Sequence, residues 1–134
     1  MDDRISQSLE QLFKQYYIHP DCINDIRDLI LGSGNERAFF KLFAKNTAML
    51  NECGQEVIKN RNFEKLKHAK DLYSMKFKLP KQNLRIIYTY KAGRLALLLC
   101  SFYERSDSRE KYSKYIPVAN KRLRDLEEKQ WLII

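Results

Sequence analysis

The order of hydrophobic periodicities along this chain predicts an α+β domain: helices first, then an antiparallel β-meander, then one closing helix, with the helices against one sheet face. Apolar residues recur at helical spacing up to residue 54, at every second position from residue 72, and at helical spacing again after residue 116. With 134 residues, 44% of them hydrophobic and only 4 Gly and 3 Pro, the chain can build one core, so residues 1–134 are expected to form a single domain.

The first helix carries Ile5, Leu9, Leu12, Phe13 and Tyr16 and stops at His19-Pro20, because proline disfavours helix in the residue before it. Asp21 is expected to cap a short second helix bearing Ile23, Ile26, Leu29 and Ile30. Gly32-Ser33-Gly34 then supplies the left-handed backbone that ends it. Asn35 opens a third helix with Ala38, Phe39, Leu42, Phe43 and Leu50 on its apolar stripe, and Gly54 closes it. These leucine and aromatic stripes are core, with no chemistry assigned to them.

In Tyr73-Ser74-Met75-Lys76-Phe77-Lys78-Leu79, the residues Met75, Phe77 and Leu79 face one way while Ser74, Lys76 and Lys78 face the other, the mark of a half-buried strand. Pro80 to Asn83 turns the chain, and Leu84 to Tyr90, rich in β-branched and aromatic residues, returns it. After Lys91-Ala92-Gly93, the continuously apolar run Leu95 to Phe102 reads as a central strand covered on both faces. A polar run from Glu104 to Lys114 follows. Pro117 then sits where a first helical turn tolerates it, and Ile116, Ala119, Leu123 and Leu126 mark the last helix.

Charge is segregated. Residues 59–124 hold 18 Lys/Arg against 5 Asp/Glu, whereas residues 1–58 hold 6 against 9 and residues 125–134 hold 1 against 3. A middle this basic sets up a one-sided positive field that attracts a polyanion, nucleic acid first, or an acidic protein partner. No apolar stretch reaches membrane-spanning length and Met1-Asp2-Asp3-Arg4 is no signal peptide, so the expected location is the cytoplasm, away from membranes. Cys22, Cys53 and Cys100 are odd in number, widely spaced and without a CxxC, which fits neither a disulfide framework nor a zinc site. They are expected to be reduced and mostly buried.

Pairing Leu79 with Leu84 around the turn would set Phe77 opposite Ile86, Met75 opposite Tyr88 and, on the other face, Lys78 opposite Arg85. Opposed like charges are unfavourable in a sheet, and these strands hold no acidic residue to relieve them, so the pair calls for an anion. Lys76 shares that face, and Arg105 and Arg109 leave the third strand toward Tyr112 and Tyr115. Cations on a rigid sheet suit a phosphodiester, since they position it and stabilise charge building on its oxygens. The alternative is that Lys76, Lys78 and Arg85 are the solvated side of an amphipathic hairpin. His19 and His68 are weaker candidates, as general bases titrating near neutrality. Neither HExxH, GxSxG, a P-loop nor a carboxylate set for Mg²⁺ is present. Glu64, Asp71, Glu104, Asp107 and Glu110 form no recognisable ligand group, so any catalysis is expected to need no metal and no cofactor.

The phrases Asp71 to Lys78, Leu84-Arg85-Ile86-Ile87-Tyr88, Leu97 to Arg105 and Ile116 to Leu123, in that order, resemble the RelE/ParE toxin superfamily, most nearly its phage-associated HigB-like branch. The resemblance spans roughly residues 35 to 128, leaving 1–32 as an N-terminal helical extension. It implies a RelE-like meander and the toxin of a type II toxin-antitoxin pair. Such a toxin is usually an endoribonuclease, or mRNA interferase, that cuts mRNA on the ribosome and is neutralised by a cognate antitoxin. Carried over by motif, the family's catalytic positions fall on Lys76, Lys78, Arg85, Arg105 and Tyr112, with Tyr115 as the alternative tyrosine.

The implied reaction is attack of the RNA 2′-OH on the adjacent phosphate, leaving a 2′,3′-cyclic phosphate. Lys76 or Lys78 would assist deprotonation or hold charge, Arg85 and Arg105 would bind phosphate, and Tyr112 would stack on a base or aid proton transfer. A lysine can act as base only if neighbouring charges depress its pKa; otherwise it acts electrostatically. Lys65, Lys67, Lys81, Arg94, Arg109, Lys111 and Tyr115 are the candidate RNA contacts. The superfamily also contains ParE-type toxins that inhibit gyrase without cutting RNA, which is one alternative; another is a plain RNA-binding phage accessory protein that has lost toxicity. Residues 1–32 and the tail Trp131-Leu132-Ile133-Ile134 either pack on the core or offer an antitoxin or self-association surface.

Overall fold

Helical spacing of Leu9, Leu12 and Phe13 forms α1 (Asp3–Phe13), and Cys22, Ile26 and Ile30 line α2 (Pro20–Ile30). Phe39, Phe43 and Leu50 line α3 (Glu36–Cys53), which a 3₁₀ helix (Gly54–Lys59) extends. The strands are β1 (Tyr17–Ile18), β2 (Phe63–Lys65), β3 (Tyr73–Lys78), β4 (Asn83–Lys91) and β5 (Leu95–Tyr103), and α4 (Ser108–Glu128) closes the chain. This computed structural model describes residues 3–67, 69–80, 82–91, 95–104 and 108–128. The predicted α+β class and element order are thus present. Among the described residues no helix is long and apolar enough to cross a membrane.

One sheet runs in the order β1-β5-β4-β3-β2, antiparallel except where β1 joins β5 in parallel. β4, not β5, is therefore the middle strand. On one face Phe63, Met75, Phe77, Leu84, Ile86, Tyr88 and Leu98 pack with the three N-terminal helices. Phe39, Phe43 and Phe77 meet there with ring centroids 5.2–6.3 Å apart. On the other face Leu72, Ile87, Leu97, Leu99, Cys100 and Phe102 pack with Ala119 and Leu126 of α4. The expectation of helices on a single face is corrected: α4 covers the opposite side, making three layers. The N-terminal 32 residues are part of this body, since β1 joins the sheet and α1 and α2 enter the core.

A bulge explains the unbroken apolar run of β5. Ile87 pairs with Cys100 and Tyr88 with Leu98, so Leu99 is the extra residue and both Leu99 and Cys100 pack toward α4. β1 spans only two residues, and beyond it side chains cover the edge of β5. The Ser101 N–H donates to Asp25 Oδ2 (3.2 Å), Arg122 Nη1 donates to the Leu99 carbonyl (2.9 Å), and Arg122 binds Asp25 at 2.6 Å. A carboxylate from α2 and a guanidinium from α4 thus occupy hydrogen-bonding positions that a sixth strand would otherwise claim.

Two boundary expectations change. His19, not Asp21, caps α2: its Nδ1 accepts from the Asp21 N–H at 3.0 Å, and Pro20 takes the first helical position. Pro117 lies inside α4 because the helix starts at Ser108, within the run read as polar linker. Pro117 therefore withholds the N–H that would bond the Ser113 carbonyl. Gly32 (φ 82°) and Gly34 (φ 87°) do adopt the left-handed backbone expected after α2.

Candidate active site

Strand alternation points Ser74, Lys76 and Lys78 of β3 to the α4 side of the sheet, and four other elements bring partners to them. The register is Lys78 with Asn83, Phe77 with Leu84, Lys76 with Arg85, Met75 with Ile86 and Tyr73 with Tyr88. The expected pairing of Lys78 with Arg85 is corrected. Leu79 is drawn into the core beyond the last pair, so pairing on β3 stops at Lys78 while on β4 it starts at Asn83, one residue closer to the turn. The resulting slip is two residues and keeps every side chain on its expected face. Lys76 thereby becomes the neighbour of Arg85, and Lys78 stands exposed beside Asn83.

Acidic groups do relieve this pair, contrary to expectation. β2 sets Glu64 opposite Ser74, and Glu104 follows β5, its N–H donating to the Asn83 carbonyl at 2.8 Å. Arg85 Nη2 donates to Glu104 Oε1 at 2.8 Å, Arg85 Nη1 to Glu64 Oε1 at 3.3 Å, and Lys76 Nζ lies 4.0 Å from Glu104 Oε2. Side-chain exposure separates the two acids: 15% for Glu104 and 49% for Glu64, against 12% for Arg85. Burial works against the Arg85 charge, yet the Glu104 hydrogen bond and the charges of Tyr112, Glu104 and Glu64 more than offset it, and its pKa is raised. Burial likewise pushes Glu104 toward its neutral form, and Arg85 with Lys76 pulls it below the usual carboxylate value.

Tyr112 of α4 completes the group. Its hydroxyl donates to Glu64 Oε1 at 3.0 Å, which leaves Ser74 Oγ, 2.8 Å away and fully buried, to donate to the tyrosine oxygen. The Arg85 guanidinium lies 5.9 Å from the centre of the Tyr112 ring. Burial raises the Tyr112 pKa, against the lowering effects of Ser74 and Arg85. Among the described residues, Arg85 Nε and Glu104 Oε2 are buried with no hydrogen-bond partner.

Of the sequence-predicted residues, Lys76, Arg85 and Tyr112 converge. Lys78 does not join them, and Arg105 lies outside the described residues, as do His68, Lys81, Arg94 and residues 131–134. Arg109 lies on α4 with its side chain outside the described set. Lys65 alternates to the other sheet face, and Lys67 is exposed between β2 and β3. Tyr115 stacks on Phe102 (4.6 Å, 1°), with Lys111 and Lys114 over its ring at 5.9 and 5.4 Å, one turn beyond Tyr112. His19 is buried at the start of α2 as a cap.

Glu64, Glu104 and Ser74 are the members that sequence reasoning missed. The strand Phe63-Glu64-Lys65 is too short to show a period, and Glu104 falls just past the last apolar residue of β5. Among the described residues, no three His, Cys, Asp or Glu side chains gather as a metal site would require. Chemically the group offers a half-exposed carboxylate, a guanidinium and ammonium beside it, and a hydroxyl held between two partners. Comparisons of the chain with protein-family models, with curated proteins and with solved structures returned no match.

Proposed function

We propose that this protein is a RelE/ParE-type toxin that cleaves mRNA at the Glu64–Arg85–Tyr112–Lys76 group, acts on the ribosome and is held in check by a cognate antitoxin. One observation carries the reading: a proton acceptor, Glu64, sits 3.3 Å from a guanidinium able to hold a phosphate, and both touch one tyrosine. The strong positive charge of residues 59–124 supports a polyanionic substrate.

With RNA bound, Arg85 and Lys76 hold the non-bridging oxygens of the scissile phosphate and take up the charge that grows on them. Glu64 removes the 2′-OH proton, the 2′-oxygen attacks phosphorus, and the bond to the 5′-oxygen breaks, giving a 2′,3′-cyclic phosphate. Tyr112 protonates the departing 5′-oxygen. The Ser74 hydrogen bond supports the tyrosinate that this leaves. Glu64 then returns its proton to Tyr112 across the 3.0 Å contact, restoring both groups. A carboxylate base replaces the lysine base because Glu64 is the group in hydrogen-bond contact with the tyrosine that serves as acid.

The test is induced expression in bacteria with mapping of mRNA 5′ ends. Translation-dependent cuts bearing 2′,3′-cyclic phosphates are expected, with growth arrest rescued by an adjacent antitoxin gene. Arg85→Ala and Glu64→Gln are each expected to lower cleavage by roughly 10²–10⁴-fold. Intact mRNA in arrested cells overturns the reading. A second reading rests on a specific observation, that Lys76 and Arg85 already have carboxylate partners in the free protein. There the cluster is a fold-stabilising ion network in a non-cutting, gyrase-inhibiting toxin, and supercoiling activity would fall while mRNA stays whole.

A further inference from the structure

The two carboxylates on Arg85 are held very differently, and we infer that Glu64 is a displaceable stand-in for an oxyanion while Glu104 is the fixed partner that positions the guanidinium. The inference rests on the proposed assignment of Arg85 as the phosphate-holding residue. Glu104 is 15% exposed, contacts Arg85 at 2.8 Å, and follows β5 directly, its backbone tied to Asn83. Glu64 is 49% exposed, contacts Arg85 at 3.3 Å and rides a three-residue strand at the sheet edge. An incoming oxyanion therefore meets Glu64 first and replaces the longer, wetter hydrogen bond.

Displacement leaves Glu64 attached to the site, because the Oε1 that faces Arg85 also accepts from Tyr112. Tyr112 is the pivot: the carboxylate swings off the guanidinium and stays within reach of the tyrosine hydroxyl. Lys76 contributes from the other side. Its ammonium lies 4.0 Å from Glu104 Oε2, beyond hydrogen-bond length, so it can turn to a second oxygen of the same ligand. The site is thus an oxyanion-binding fork, Arg85 with Lys76, closed in the free protein by its own carboxylate. The ligand class is a phosphodiester of single-stranded RNA.

The experiment measures binding apart from cleavage, using a fluorescent 2′-O-methyl RNA decamer that cannot be cut by 2′-OH attack, at fixed salt, with inorganic phosphate as competitor. Glu64→Gln removes the stand-in. Glu52→Gln, on exposed α3 surface, makes the same change of net charge elsewhere. Glu64→Gln is expected to bind two- to fivefold more tightly than Glu52→Gln, about the worth of one partly exposed ion pair. That gain is expected to vanish when Arg85→Ala is added. Arg85→Lys, which keeps the charge and loses the fork, serves if the alanine variant does not fold, and should leave less than half of the gain.

Equal affinities for Glu64→Gln and Glu52→Gln overturn the inference, and so does a gain that survives loss of Arg85. The outcomes are separable from those for nuclease activity. Tighter binding by Glu64→Gln with intact cellular mRNA would keep the fork and discard the enzyme. Unchanged binding with mRNA cleavage would do the reverse.

Discussion

Tyr112 is the residue on which the candidate site turns, because its hydroxyl is the link between a buried serine and an exposed carboxylate. Tyr112→Phe keeps the ring against Phe102 and Arg85 but leaves the Ser74 hydroxyl buried without its partner. A loss of about 1 kcal/mol in stability is expected in urea titrations, the cost of one orphaned hydroxyl. Cleavage is expected to fall by 10²-fold or more, far beyond what that destabilisation explains. Cleavage within a few-fold of wild type would remove Tyr112 from the chemistry. The contrast with Glu64 shows what was legible at this scale. Lys76, Arg85 and Tyr112 announce themselves as cations on one face of a hairpin and a tyrosine in a basic run. Glu64 and Glu104 come from elements 21 and 19 residues away in sequence from the arginine they bind. Nothing in a one-dimensional pattern pairs them with it. Ser74 reads as the polar side of a strand and turns out to be buried, because α4 lies over that side.

Among the elements, the long periodic ones were readable and the short ones were not. A two-residue strand such as β1 and a three-residue strand such as β2 contain no full period, so only their pairing with β5 and β3 defines them. The start of α4 was hidden for a different reason. Residues 108–114 are polar apart from Tyr112, yet Tyr112, Ile116, Ala119, Leu123 and Leu126 form one helical stripe once the tyrosine is counted as apolar. α4 delivers Tyr112, so what anchors the helix matters. Arg122 binds Asp25 at 2.6 Å and the Leu99 carbonyl at 2.9 Å, which ties α4 to α2 and to the edge of β5 together. Burial opposes the Arg122 charge, and the Asp25 hydrogen bond and charge outweigh it, so the guanidinium stays ionised. Arg122→Ala strands a largely buried carboxylate and a strand carbonyl. The expected cost is about 2–3 kcal/mol. Hydrogen exchange should speed up first in α4 and in β5 around Ser101, and unchanged exchange there would show that the latch contributes nothing to docking.

For the whole molecule, burial of two thiols between layers makes stability depend on alkaline pH. Cys22 sits on α2 and Cys100 on β5, both fully buried, and Cys22 is near enough to feel the charge of Cys100. Burial is the main cause that pushes the Cys100 thiol up to about 12, and it raises Cys22 well above its ordinary value, with Cys100 and Asp25 adding to the effect. In the unfolded chain both ionise near pH 8.5. Between that value and the folded pKa the unfolded state has released protons that the folded state still holds, so stability is full below about pH 8.5 and declines as pH rises. Each thiol contributes a slope approaching about 1.4 kcal/mol per pH unit. On the acid side the sign reverses. Glu104, which Arg85 and Lys76 hold below the usual carboxylate range against the pull of burial, contributes stability that is lost as pH falls through its folded value, beginning below about pH 4.5. Urea unfolding under reducing conditions should therefore give a plateau between about pH 5 and 8 and a steep alkaline limb. A Cys22→Ala, Cys100→Ala double variant, though less stable at neutral pH, should lose most of that limb. A wild-type profile that stays level from pH 8 to 10, or a double variant with the same slope, would show that the two sulfurs are not sealed in the interior on the two faces of the sheet.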